Sequence, residues 1–168
     1  MHLLAAGVTP TTTLVAVGHE TEVVGKLMSA GAVLFYQQHL GQLTLAKKLS
    51  TAVAMAVDAP IAENVIALKA FDWFGCSVLS ICDLDADGIP ELIVGARGDD
   101  DGAPNGGAVY IVFLDMQANI RTHIKLPRDV PGALFGSSLS AQRCDESDPR
   151  YPELFVGAPG ESGHRGAV

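Results

Sequence analysis

The chain has 168 residues, 48% of them hydrophobic, and a mean hydropathy of +0.28, enough for an ordered unit with a core of its own. Its 11 Lys and Arg against 19 Asp and Glu leave a net charge of −8, which disfavours binding to nucleic-acid phosphates or anionic lipid. No apolar run approaches the roughly 18 residues of a membrane span, and the opening "MHLLAAGVTPTTT" has neither the basic segment nor the apolar length of a signal peptide.

In chain order, the first strand-like runs are "TLVAVGHE" from Thr13, "AGAVLFY" from Ala30 and "GQLTLAKKLS" from Gly41. Short runs rich in Val, Ile, Leu, Phe and Tyr, bounded by Gly, Pro, Asp or Asn, read as antiparallel strands joined by tight turns. An Ala/Val-rich stretch near residues 51–66 follows. The composition of 43–70 is also compatible with a helix, although Pro60 interrupts it. Beyond it come "FDWFGCSVLS" from Phe71, "ELIVG" from Glu91, "GGAVYIVF" from Gly106 and "THIKLP" from Thr122. The chain closes with "GALFGSSLS" from Gly132, "CDESDPRYPELFVGAPG" from Cys144 and "RGAV" from Arg165.

These runs are copies of one another. "CDLDADGIPELIVGARG" from Cys82 lies over the run from Cys144 without a gap, 62 residues apart. The first copy is offset by about 76 or 77 residues, so the stretch near 51–66 is read as an insertion of about 15. A period near 60 with four strand-sized runs fits the blade of a β-propeller, with duplicated hairpins in a β-sandwich as the competing architecture. The expected fold is therefore all-β, a partial β-propeller of four-stranded antiparallel blades. Its repeats would be a partial first one over 1–70, a second over 71–131 and a truncated third over 132–168. Closed propellers use about four to eight blades, so the chain is expected to be a piece of a larger propeller, with open edges that favour self-association.

The loop Asp83-x-Asp85-x-Asp87-Gly88-x-x-Glu91 sets three carboxylates at alternate positions, then a glycine able to take the positive φ of a tight turn. Ca²⁺ wants about six to eight hard oxygens at roughly 2.3–2.6 Å. Asp83, Asp85, Asp87, the main-chain carbonyl of Ile89 and Glu91 can supply them, so Ca²⁺ is the expected cofactor. The alternative is a solvated acidic turn. An EF-hand would require a Glu at the twelfth position and flanking helices, but Val94 stands there and the flanks are strand-like. The next copy has Asp145, Ser147, Pro149, Arg150 and Glu153 at the matching positions, so a ligand and the glycine pivot are lost and a positive charge enters. No cation is expected there.

Arg97-Gly98-Asp99 spells a tripeptide that adhesion receptors grip, but it directly follows a core strand and its glycine is already explained by the repeat. It is read as a chance match. There is no G-x-S-x-G, H-E-x-x-H or Walker loop, and His2, His19, His39, His123 and His164 lack ligand spacing, so no enzyme activity is expected. The three cysteines form no C-x-x-C pair and are too few for a disulfide framework. Cys82 and Cys144 share one position in two copies and are read as packing residues, and Trp73 and Phe74 as core between blades.

Phe74-Gly75 followed by Gly95-Ala96-Arg97, and Phe135-Gly136 followed by Gly157-Ala158-Pro159, resemble the FG-GAP repeats of integrin α-subunit heads and related secreted propellers. The likeness runs from Leu14 to Val168 except for the insertion. It implies a calcium-binding interaction module for cell adhesion or extracellular protein binding, at the cell surface or outside the cell. Its partners would be a protein ligand and the remaining blades of the same propeller. The resemblance also extends to the non-catalytic propeller region of larger secreted enzymes such as phospholipase D-like proteins. In FG-GAP calcium loops the ninth position, Glu91 here, is more usually Asp.

Overall fold

Ten short strands, each bounded by turn-forming residues, make up the named elements of the computed structural model, which describes residues 2–4, 13–39, 41–50, 65–142, 153–161 and 166–168. Strands β1 (His2–Leu4), β2 (Thr13–His19), β3 (Ala32–His39) and β4 (Gln42–Leu49) form one antiparallel sheet in sequence order. Strands β5 (Phe74–Ser80), β6 (Leu92–Ala96), β7 (Ala108–Leu114) and β8 (Ile120–Pro127) repeat that meander in a second sheet. Strands β9 (Ser138–Ala141) and β10 (Leu154–Gly157) pair as an antiparallel hairpin.

The sheets stack face to face because the central strands are apolar on both sides. In β6 all five residues are buried. Successive strand side chains point to opposite faces, and here the two faces meet different partners. Leu92, Val94 and Ala96 join Val33, Phe35, Phe74 and Tyr110 in a core shared with the first sheet. Ile93, with Leu79, Ile81 and Val109, packs instead toward Val156, Phe135 and Leu139 of the hairpin side. A two-layer sandwich would leave one face of each sheet to solvent. A sheet covered on both faces by its sequence neighbours is a propeller blade.

The close approach of successive blades depends on glycines at matching positions. A Cβ on Gly18 would lie 1.9 Å from the Gly75 carbonyl oxygen, and one on Gly95 would lie 2.1 Å from that of Gly136. Any side chain there would force backbone apart. The glycine ending the central strand of one blade thus receives the backbone of the Phe-Gly pair that opens the next. Parallel bridges Gly31 to Phe74 and Gly107 to Phe135 fix the same junctions.

Of residues 43–70, where composition also allowed a helix, 43–49 belong to strand β4, whose alternation is weak because its outer position leaves most of it exposed. The insertion read near 51–66 lies outside the described residues over 51–64.

Candidate metal centre

The acidic stretch is the loop of the β5–β6 hairpin. Ile81 N–H donates to the Glu91 carbonyl at 2.9 Å and Glu91 N–H to the Cys82 carbonyl at 3.4 Å, so the ladder closes beneath the loop. Above that closure the carboxylates organise their own backbone. Asp83 accepts from the amides of Asp87 at 3.1 Å and Gly88 at 2.7 Å, and Asp87 accepts from Ile89 N–H at 2.8 Å. Ala86 and Gly88 take φ of 60° and 87°, which curls the chain back on itself. The result brings one carboxylate oxygen each from Asp83, Asp85, Asp87 and Glu91 within 4.8 Å of one another.

Glu91 differs from the other three. It is 1% exposed and accepts from Leu84 N–H, whereas Asp85 and Asp87 face solvent. Burial pushes its carboxyl up to about 7; the Leu84 amide opposes that shift, and the charges of Asp85, Asp83 and Asp87 add to it. A buried carboxyl crowded by three acids suits a strong cation more than it suits water. The donor set is all hard oxygen, which fits Ca²⁺ and not a soft metal. Sequence reasoning missed one participant. Arg121, from β8, places Nη2 3.0 Å from Asp85 Oδ2 and Nη1 against Asp87 Oδ2.

A family model described as FG-GAP repeat matches residues 76–112, which span most of β5, the acidic loop, β6 and most of β7. The chain carries an FG-GAP repeat. Human integrin alpha-IIb is 36% identical over 90 residues, 52% of this chain and 8% of the integrin. Human integrin alpha-11 is 32% identical over 100 residues, 57% of this chain and 8% of the integrin. The chain therefore spans about 8% of the length of either relative.

Within the FG-GAP repeat, the Arg-Gly-Asp tripeptide is committed to internal contacts. Asp99 is 1% exposed, and its carboxylate accepts from Tyr110 O–H at 3.1 Å and from Asp101 N–H at 2.9 Å and pairs with Lys125. Arg97 lies 4.9 Å from the Trp73 ring centroid and pairs with Glu20 at 3.2 Å. The pair with Glu20, the residue after β2, ties the tripeptide to the first sheet. Of the histidines, His19 pairs with Glu22 at 2.9 Å and His123 leans on Tyr110. His164 lies outside the described residues. Cys76 is a free thiol whose S–H donates to the Gly136 carbonyl at 3.3 Å. Cys82, read as a packing residue, is disulfide-bonded; Cys144 and the loop positions 145–150 lie outside the described residues.

A second acidic group below the FG-GAP repeat's core was not legible in the sequence. Asp72 is 2% exposed and accepts from Lys69 N–H at 2.6 Å. Burial pushes its carboxyl up to about 6; the Lys69 amide opposes this and the Asp99 charge adds to it. The folded state then holds a proton until about pH 6 that the unfolded chain releases near pH 4. Stability contributed by protonated Asp72 is therefore lost as pH rises from about 4 to about 6, by about 2–3 kcal/mol. Denaturant titrations at pH 4.5, 5.5 and 6.5 check it: Asp72→Asn is expected to flatten the decline, and an unchanged slope would refute it.

Proposed function

We propose that the chain is a calcium-binding β-propeller interaction module of the integrin-α type, working outside the cell or at its surface and holding a protein ligand. The observation that carries this reading is the convergence of Asp83, Asp85, Asp87 and Glu91 to within 4.8 Å on a hairpin loop inside the matched FG-GAP repeat. These four side chains, with the carbonyl of Ile89, would hold the ion. Its contribution would be structural: a divalent charge relieves the repulsion among the acids and pins the loop to the β5–β6 hairpin. The disulfide at Cys82 fits an oxidising compartment. No catalytic role is assigned, and the remaining blades of the propeller would be the module's other partners. The proposed repeats remain 1–70, with the insertion near 51–66, then 71–131 and 132–168.

Calcium should raise the melting temperature by mass action on the folded state. At a hundredfold excess over Kd the gain is about 2.7 kcal/mol, or about 5–10 °C for a chain of this size. Scanning calorimetry in EDTA and in calcium tests it. Asp85→Ala should abolish the shift and Asp145→Ala should leave it intact. A melting curve indifferent to calcium in the unmutated chain would end the assignment.

A further inference from the structure

Arg121 belongs to neither the acidic loop nor the hairpin that carries it. It comes from β8, two strands away from β6 across the same sheet, and reaches the loop from the side. Its guanidinium takes Asp85 Oδ2 at 3.0 Å with one nitrogen and Asp87 Oδ2 with the other. These are two of the three aspartates whose charge a cation would need. The fork matches two carboxylates at once, a geometry that a lysine's single point charge does not reproduce.

The first sheet supplies an internal comparison. In the aligned runs "GQLTLAKKLS" and "ANIRTHIKLP", Thr44 of β4 stands where Arg121 stands in β8. That earlier copy has no acidic loop ahead of its central strand, and Thr44 O–H donates to the Gln37 carbonyl within its own sheet. Within this chain, the arginine accompanies the carboxylates it binds. A guanidinium on a neighbouring strand that merely filled surface would not be aimed at two ligands of one cluster.

We propose that Arg121 is a resident competitor for the cation: it neutralises Asp85 and Asp87 when calcium is scarce and must swing away before a divalent ion can take both carboxylates. The inference rests on the calcium reading above. Arg121 thus sets the calcium concentration at which the loop loads, and it keeps the loop ordered below that concentration. The two pairs are partly solvated, and pairs of that kind contribute about 0.2–1 kcal/mol each. Removing both pairs by replacing Arg121 should therefore tighten calcium binding about 2- to 30-fold.

Calorimetric titration of calcium chloride into the full chain, Arg121→Gln and Arg121→Lys, with melting curves in EDTA, tests this. Arg121→Gln is expected to bind more tightly by that factor, yet to melt lower in EDTA, where its acids have lost their counter-charge. Arg121→Lys, which keeps the charge without the fork, should fall between the two. If Arg121 only props the aspartates in place, Arg121→Gln will bind calcium more weakly or equally, and the competitor role is overturned while the calcium site stands. If neither the unmutated chain nor any variant binds calcium, both readings fall. Arg121→Thr, which copies the residue of the first sheet, serves should the glutamine variant not fold.

Discussion

Phe74→Ala is expected to cost about 3–5 kcal/mol, the range for a fully buried phenylalanine cut back to alanine. Phe74 is 0% exposed, and its ring meets Tyr110 edge-on at 5.3 Å. It is also where two blades are joined, because its amide donates to the Ala30 carbonyl at 3.0 Å and its backbone bridges Gly31. The lost ring would leave a cavity between two backbones held apart by fixed hydrogen bonds, so the site has little freedom to collapse. Phe71, three residues earlier, is 50% exposed and serves as the control. Phe71→Ala should change stability by no more than about 0.5 kcal/mol. Urea denaturation of both variants decides the matter, and equal midpoints would show that the junction is not packed as described.

Lys125→Met is expected to be nearly as damaging, by about 3–5 kcal/mol, because it leaves a buried carboxylate without its cation. Lys125 pairs with Asp99 and Asp101, and its ammonium sits 5.3 Å from the Tyr110 ring centroid. Asp101 stays solvated and can do without it. Asp99, 1% exposed, cannot. The same logic predicts non-additivity: Lys125→Met combined with Asp99→Asn should recover much of the loss, since the uncompensated charge is gone while Tyr110 O–H keeps an acceptor. A double variant as unstable as the sum of the singles would mean that the lysine acts through its apolar stem alone. The cycle also bears on the tripeptide, because an aspartate needed in this way inside the molecule is not free to bind a receptor.

Much of the architecture was legible because it is periodic. The match of "ELIVGARG" from Glu91 to "ELFVGAPG" from Glu153 shows in one dimension what strands β6 and β10 show in three. The hairpin loop was legible for a local reason: Asp83, Asp85, Asp87, Gly88 and Glu91 lie within nine positions, and the bonds from backbone amides to these carboxylates stay within residues 83–91. Spacing is enough where the contacts are close in sequence.

The sequence by itself determined the all-β class, the strand-sized runs and the four acids of the loop, since each depends on residue type and short-range order. Only the tertiary structure decided what each side chain answers to across the sheet. Arg121 is 34 residues from Asp87, and Lys125 is 24 from Asp101. No local pattern joins such pairs; strand pairing and sheet stacking bring them together. The burial of Glu91 and Asp99 has the same origin, because the acid-rich stretch from Asp83 to Asp101 reads as surface until its neighbours in the fold cover these two. The need for glycine at Gly18 and Gly95, inside strand-like runs, was not legible for the same reason. Their necessity comes from a carbonyl of the next blade, at 1.9 and 2.1 Å from where a Cβ would stand, and that neighbour exists only once the sheets have packed.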